Sequence, residues 1–396
     1  MVALRIAHLS FSASGGAGTV ATRLAATQRA LGHDAEVLSS ITGTLHTTPL
    51  AKPRHTLAAG LDQYVVKAPD FHAPVSLYRN RLSDLASSDV ADADVIHLHW
   101  PHGLIDPDEL TTIAGNRMVV WTLHDMAALT GGCHYSLGCE GFTSGCEGCP
   151  AVRAPWKKAI TRSQQRTAEA LAAVPHLRLA SPSQWLATEA SRSQSVKGHD
   201  VHVIPNPLPP NLTEPMAQKD AKTQLGIPQD HTVFMVSASN LDDPVKAARV
   251  ALEAFGEASS GGLRATLLVV GQGGPAQTIP NVRPLGYLRG DQMTTALSAS
   301  DYLVVPSLAE NQPLAISEAQ AMGVSLIARD ATGLPEHTVY DDDAKLFSHP
   351  SELRDLFDTL AKASRSASSR QKLMAVARER FDPATAATRY LELYSQ

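Results

Sequence analysis

Two glutamates eight positions apart, Glu310 and Glu318, are the residues whose type and spacing point most directly to chemistry. They stand in residues 306–338, PSLAENQPLAISEAQAMGVSLIARDATGLPEHT, a run that follows the apolar triplet Leu303-Val304-Val305 and opens a predicted helix. Asn311 suits the cap of that helix and Pro313 its first turn. A helix amino terminus with unshared N–H groups attracts a diphosphate. A carboxylate just before it suits sugar hydroxyls, and one more than a turn inside suits the paired hydroxyls of a ribose. The bland alternative is two surface glutamates that stabilise the helix dipole.

Three other groups carry chemistry. Cys133, Cys139, Cys146 and Cys149 are all the cysteines of the chain, and the last pair has the C-x2-C spacing of a zinc knuckle. Four thiolates so close together suit a structural zinc ion with no open coordination position, with His134 as an alternative ligand. Free thiols or two local disulfides are the competing readings. Gly15, Gly16 and Gly18 form a turn after a strand, where a missing Cβ lets backbone N–H groups approach a phosphate. His97, His99 and His102 could be taken for a metal site, but no carboxylate stands near them, and a lining role toward an acceptor is expected instead.

These residues need elements to place them. At 396 residues the chain exceeds one ordinary core and suits two domains. The first forty residues read as strand, glycine turn, helix, strand, the βαβ seed of a doubly wound parallel sheet. Strands are predicted around 95–98, 118–123, 177–180 and 201–204, with helices at 106–114, 160–173 and 183–193 between them. A proline-rich stretch, Pro205-Asn206-Pro207-Leu208-Pro209-Pro210, reads as a linker, and the alternation then restarts. Strands are predicted at 232–237, 265–270, 302–305 and 325–328, with helices at 244–258, 291–299, 315–322 and 384–394. The expected domains are 1–207, with a Cys-rich loop at 131–150, and 208–378, followed by a terminal helix in 379–396 that packs back on the first domain.

The 306–338 run resembles the E-x7-E segment of glycosyltransferase family 4, the retaining enzymes of GT-B fold. The likeness includes the leading Pro-Ser, the helix Glu-Ala, the Ala-Met-Gly turn and Gly333-Leu334-Pro335-Glu336. It implies an α/β fold of two Rossmann-like domains facing each other across a cleft, with the donor held chiefly by the second. It also implies roles for other residues. Lys246 stands where the family places a lysine on the donor diphosphate, while Asn240 occupies the position of the usual arginine, which leaves the leaving-group charge less compensated unless Arg249 or another cation substitutes. Gly15, Gly16 and Gly18 match the glycine loop near the diphosphate. His124, in Thr122-Leu123-His124-Asp125, matches a histidine that contacts the transferred sugar. By the same likeness Asn240, Lys246, Asn311, Gln312, Leu314 and Glu318 bind donor together with the glycine loop, and His124, Glu310 and Lys246 form the catalytic set. Residues from His97 through the cysteine loop further resemble a bacterial subgroup related to colanic-acid and exopolysaccharide transferases.

The implied reaction moves a hexose-type unit from a nucleoside-diphosphate sugar, a UDP- or GDP-sugar foremost, to an acceptor hydroxyl with retention, without a catalytic cofactor or metal. The acceptor is a glycan or a small molecule. A sugar-nucleotide epimerase of the same fold and a catalytically silent sugar-nucleotide-binding protein are the alternatives. A net charge of −5 gives no pull toward nucleic acid. No apolar run is long enough to span a bilayer, so a cytoplasmic protein with at most peripheral membrane contact is expected.

Overall fold

The computed structural model describes residues 2–41, 45, 51–77, 85, 87–274, 279–363 and 365–396. It divides into two compact units, residues 1–210 with 382–396, and residues 211–381. In the first unit the chain forms β1 (Arg5–Ser10), α1 (Gly15–Ala30), β2 (Asp34–Leu38), α2 (Ala51–Leu61), β3 (Val95–Trp100), α3 (Pro107–Ala114), β4 (Met118–Thr122), α4 (Lys157–Ala172), β5 (Leu177–Ser181), α5 (Gln184–Arg192) and β6 (Val201–Val203). The six strands are parallel, in the order β2-β1-β3-β4-β5-β6. Crossing from β2 over β1 to β3 is what makes the sheet doubly wound.

The second unit repeats the plan with α6 (Gln218–Gln224), β7 (Thr232–Asn240), α7 (Ala248–Ser259), β8 (Ala265–Gln272), β9 (Val282–Gly286), α8 (Asp291–Ala299), β10 (Tyr302–Val305), α9 (Leu314–Ala321), β11 (Ser325–Arg329), β12 (Lys345–Phe347), α10 (Glu352–Leu360) and α11 (Ala367–Arg380). Its strand order is β12-β11-β10-β7-β8-β9, again all parallel. Successive residues of each central strand feed opposite cores. Phe234 and Val236 pack on one face with Leu267, Val269 and Phe357, while Val233 and Met235 pack on the other with Leu268, Val270 and Ile316. Burial of both faces is why these strands read as unbroken apolar runs.

The last helix, α12 (Pro383–Tyr394), belongs to the first unit. Asp382 caps it by accepting from the Thr385 amide at 2.7 Å, and Pro383 fills its first position. Two strands escaped the sequence reading. β9 contains Pro284, which an edge strand tolerates because it has neighbours on one side only, and β12 is three residues long.

Candidate functional site

Glu310 is buried in the loop between β10 and α9. Its Oε1 accepts from Lys246 Nζ at 2.7 Å and from Ser307 Oγ at 2.9 Å. Lys246 sits before α7, and its loop is tied to the Glu310 loop by the Leu308 amide donating to Val245 at 2.7 Å. Burial works against the Lys246 charge, but the Glu310 carboxylate outweighs it and raises the lysine pKa. The Glu310 backbone is fixed from the far side. Its N–H donates to Thr332 Oγ1 at 2.9 Å, and its carbonyl accepts from Thr332 Oγ1 and the Gly333 amide. Thr332 has φ of +54°, an unusual conformation for a β-branched residue, of the kind that the surrounding structure must over-determine. A Cβ on Gly333 would lie 2.2 Å from the Asn311 carbonyl, so that position admits only glycine.

The start of α9 differs from expectation. Its cap position is held by Pro313, not Asn311, and no side chain caps it. Proline has no N–H and no side-chain acceptor, so the helix terminus keeps its positive field unmatched from within. Asn311 and Gln312 are buried in the loop before it, and Leu314 and Glu318 are half-buried. Behind the helix, Gln320 donates to the His337 carbonyl at 2.7 Å and accepts from Tyr340 at 2.6 Å, which locks α9 against the following segment.

Asn240 is exposed, and its Oδ1 accepts from the Asp242 amide at 3.0 Å, so its side chain holds a turn. Arg249 is also exposed. In the first unit, Gly15, Gly16 and Gly18 lie inside the first turn of α1 and not in a loop before it. Gly15 and Gly16 face open space, whereas a Cβ on Gly18 would lie 2.1 Å from the Ser12 carbonyl. Gly18 is therefore a packing requirement, whereas Gly15 and Gly16 are not. The acidic run from Asp341 to Asp343 does not converge on one centre: Asp341 accepts from Ser325, Asp342 pairs with Lys372 and Asp343 with Arg365.

His124 follows β4 and is half-buried. Its Nε2 lies 3.0 Å from His99 Nδ1, and His99 Nε2 lies 3.0 Å from His8 Nδ1. His8 Nε2 then meets Gln28 Oε1 at 2.7 Å, and Gln28 Nε2 donates to Tyr394 Oη at 3.1 Å. Tyr394 Oη is 2.7 Å from His97 Nδ1, and His97 Nε2 is 2.8 Å from Thr122 Oγ1, which meets Tyr390 at 2.8 Å. Strand alternation explains the cluster, since His8 is in register with His97 and His99 lies two residues on, facing the same side. Burial lowers the pKa of His8 and His124 to about 4 and that of His97 and His99 well below the ordinary value.

This corrects the acceptor-lining role expected of His97, His99 and His102. All three are buried, the first two within a closed hydrogen-bond network. His8, His97 and His99 bring potential ligand atoms within 4.8 Å of one another, but both ring nitrogens of each already serve hydrogen bonds. Gln28, Tyr390 and Tyr394 were invisible to sequence reasoning, because nothing local links them to the histidines. His134 is likewise committed, with Nδ1 at 2.8 Å from Asp125 and Nε2 at 2.9 Å from Ser76, which removes it as a zinc ligand.

The four cysteines are free and line one cavity with Phe71, Thr130 and Phe142. Backbone N–H groups point at the sulfurs: Gly131 donates to Cys146 and Gly141 to Cys139, each at 3.4 Å, and Ala151 and Val152 to Cys149. Burial raises the pKa of Cys133 and Cys149 and pushes the Cys146 thiol up to about 12. Among the described residues the group whose ligand atoms lie within 4.8 Å is the histidine triad, so the sulfurs do not stand at the spacing a bound zinc imposes.

Comparison with known proteins follows the two units. Residues 14–212 match the family model for Glycosyltransferase Family 4, and residues 231–365 match the model for Glycosyl transferases group 1. WcaC of Escherichia coli strain K12, named as a glycosyl transferase of colanic acid biosynthesis, is 42% identical over 50 residues, 13% of this chain and 12% of WcaC. HepE from Anabaena, solved in complex with UDP-glucose, superimposes with TM-score 0.62 at 19% identity, over 99% of both chains. A sucrose-phosphate synthase from Thermosynechococcus elongatus gives TM-score 0.65 at 16% identity over 99% of this chain and 98% of the other. The fold they share is GT-B.

Proposed function

The chain belongs to glycosyltransferase family 4, and from that premise we propose that it transfers a hexose-type sugar, with retention, from a nucleoside-diphosphate donor to an acceptor hydroxyl. The observation that carries the reading is the Lys246–Glu310 pair beside a helix start that no side chain caps. A diphosphate satisfies that terminus and draws Lys246 to itself, which releases the Glu310 carboxylate to sugar hydroxyls. Glu318 takes the ribose hydroxyls. Asn311, Gln312 and Leu314 shape the entrance, Gly15 and Gly16 offer backbone N–H groups to phosphate, and His124 contacts the transferred sugar. Asn240 contributes no charge, so more of the compensation falls to the helix dipole and Lys246.

In the reaction the bond from the anomeric carbon to the phosphate oxygen breaks as the bond to the acceptor oxygen forms on the same face. The acceptor proton passes to the departing phosphate oxygen, and the nucleoside diphosphate leaves. Lys246 and the α9 terminus stabilise its growing charge without a divalent ion. Glu310 stands before α9 and Glu318 within it. Separated in this way along one stretch of chain, they do not suit the pair of carboxylates about 5 Å apart, flanking the bond, that a retaining hydrolase uses.

A UDP-sugar is the favoured donor, because the structurally similar HepE was solved with UDP-glucose. The local likeness to WcaC favours an exopolysaccharide-type glycan acceptor. A thermal-shift screen of UDP-, GDP-, ADP- and dTDP-sugars tests the site, since a ligand that binds only the folded state raises the melting temperature. A shift with UDP-sugars is expected, and no shift with any of the four rejects the donor site. Donor conversion without acceptor would favour the epimerase, and binding without hydrolysis or transfer the silent binder.

For the cysteine loop we infer a structural zinc ion held by Cys133, Cys139, Cys146 and Cys149. Its support is the shared cavity and the N–H groups aimed at three of the sulfurs, which favour thiolates. Binding requires the loop to draw the sulfurs inward.

A further inference from the structure

The outward face of α2 and of the turn that continues it is apolar, which reverses the usual pattern of a surface helix. Leu57, Leu61, Tyr64 and Val65 recur at spacings of three and four, and all are exposed, Leu57 to 67% and Tyr64 to 78%. Asp62–Val66 continues α2 as a wider turn, in which the Lys67 amide donates to the Asp62 carbonyl at 2.9 Å. The inner face is anchored. Asp62 and Val66 are buried, and the Asp62 carboxylate accepts from the Leu77 amide at 3.1 Å. With those residues held inward, the four apolar side chains are held outward. Large apolar side chains gathered on a surface in this way mark a contact with something else.

The charge beside this face indicates what that is. Residues 66–68 are stitched to 151–153, since the Ala68 amide donates to Ala151 and the Arg153 amide to Val66, each at 2.9 Å. The Arg153 guanidinium closes the end of the turn by donating to the carbonyls of Tyr64 and Lys67, both at 3.2 Å. From Arg153 the chain runs through Trp156 to Lys157, Lys158 and Arg162 at the start of α4, and residues 150–168 contain no Asp or Glu. Lys158 and Arg162 are four apart and exposed, so they share a face of α4. The whole chain carries −5, so this stretch is a local reversal of sign.

We propose that α2, its continuing turn and the basic segment from Arg153 to Arg162 form a surface that docks on an anionic phospholipid bilayer. Leu57, Leu61, Tyr64 and Val65 enter the boundary between headgroups and acyl chains, where a ring with a polar tip such as that of Tyr64 is favoured. The basic residues meet lipid phosphates, and each strengthens binding to an anionic surface about fivefold. An apolar protein partner would leave the basic stretch unused, whereas a bilayer engages both features. The contact is peripheral, since among the described residues no helix is long and apolar enough to cross a membrane. It involves the first unit alone and needs neither donor nor turnover, so it stands or falls apart from the transferase reading.

The test is co-sedimentation of the full chain with vesicles of mixed phosphatidylglycerol and phosphatidylcholine, set against vesicles of phosphatidylcholine alone. Binding is expected on the anionic vesicles, to fall by roughly tenfold or more on the neutral ones, and to weaken at high salt. Leu57→Gln combined with Tyr64→Gln is expected to weaken it by roughly tenfold or more, the scale of two large apolar side chains returned to water. Lys158→Gln combined with Arg162→Gln is expected to weaken it by about 10- to 30-fold on anionic vesicles. All four side chains are exposed, so both double variants should melt with the wild type and be compared as folded proteins. No sedimentation with anionic vesicles overturns the proposal, as does equal binding to neutral ones, or binding that either double variant leaves unchanged. A dimer in solution that the Leu57 and Tyr64 substitutions dissolve, with vesicle binding intact, assigns the face to a second copy of the chain and overturns it as well.

Discussion

Lys246 Nζ lies 2.7 Å from Glu310 Oε1, and the same oxygen accepts from Ser307 at 2.9 Å. A buried carboxylate is thus held by a cation from one loop and a hydroxyl from its own, at the foot of a helix whose start has no side-chain cap. The pair keeps the buried carboxylate matched by a cation.

Glu310→Gln keeps the shape but removes the charge that balances Lys246. Steady-state kinetics should show kcat reduced roughly 100-fold or more, the scale of one lost stabilising contact in an active site, with donor affinity little changed. Wild-type turnover would exclude Glu310 from the reaction.

Glu318→Ala removes the acceptor assigned to the ribose. Calorimetric titration with UDP should show binding weaker by about 1–3 kcal/mol, the cost of hydroxyls left without their partner. Unchanged affinity would sink the ribose assignment.

Gly333→Ala inserts a Cβ that meets the Asn311 carbonyl at 2.2 Å. Backbone must yield, at about 1–3 kcal/mol of stability, and the segment that yields carries Glu310. Lower melting temperature and reduced turnover should appear together, and a neutral variant would contradict the close approach.

Stability should fall as pH is lowered from 6.5 toward 4. His8 and His337 are buried with pKa values lowered by burial to about 4, against 6.5 for the free side chain. In that window the unfolded chain binds protons that the folded chain refuses, so the stabilisation present above pH 6.5 is lost on acidification. Each group costs up to about 1.4 kcal/mol per pH unit. Urea unfolding at pH 7.5 and 5.0 checks this, and coincident midpoints would show that the rings protonate in place.

Protein purified without chelator should carry close to one zinc equivalent by elemental analysis, and replacing Cys146 and Cys149 with serine should remove it. Less than about half an equivalent in the wild type, against the tight binding of structural zinc sites, would leave the four thiols free, as their present spacing has them.

Much of this protein was legible from local pattern. Alternating strand and helix signals gave the doubly wound architecture, because a parallel sheet buried on both faces writes itself as apolar runs such as Val233–Val236 and Leu267–Val270. The Glu310 to Glu318 run carried the family, since the order of loop, helix and strand is a property of contiguous sequence. Placement was not legible where partners come from distant segments. Asn311 looked like a cap until Pro313 took that position, and His97 and His99 looked like a lining until α1 and α12 closed over them. Gln28 and Tyr394 reach the histidines across separations of 20 and 297 residues, and Tyr390 joins them through Thr122, 268 residues away. A hydrogen bond depends on which atoms meet in space, and only the folded chain decides that.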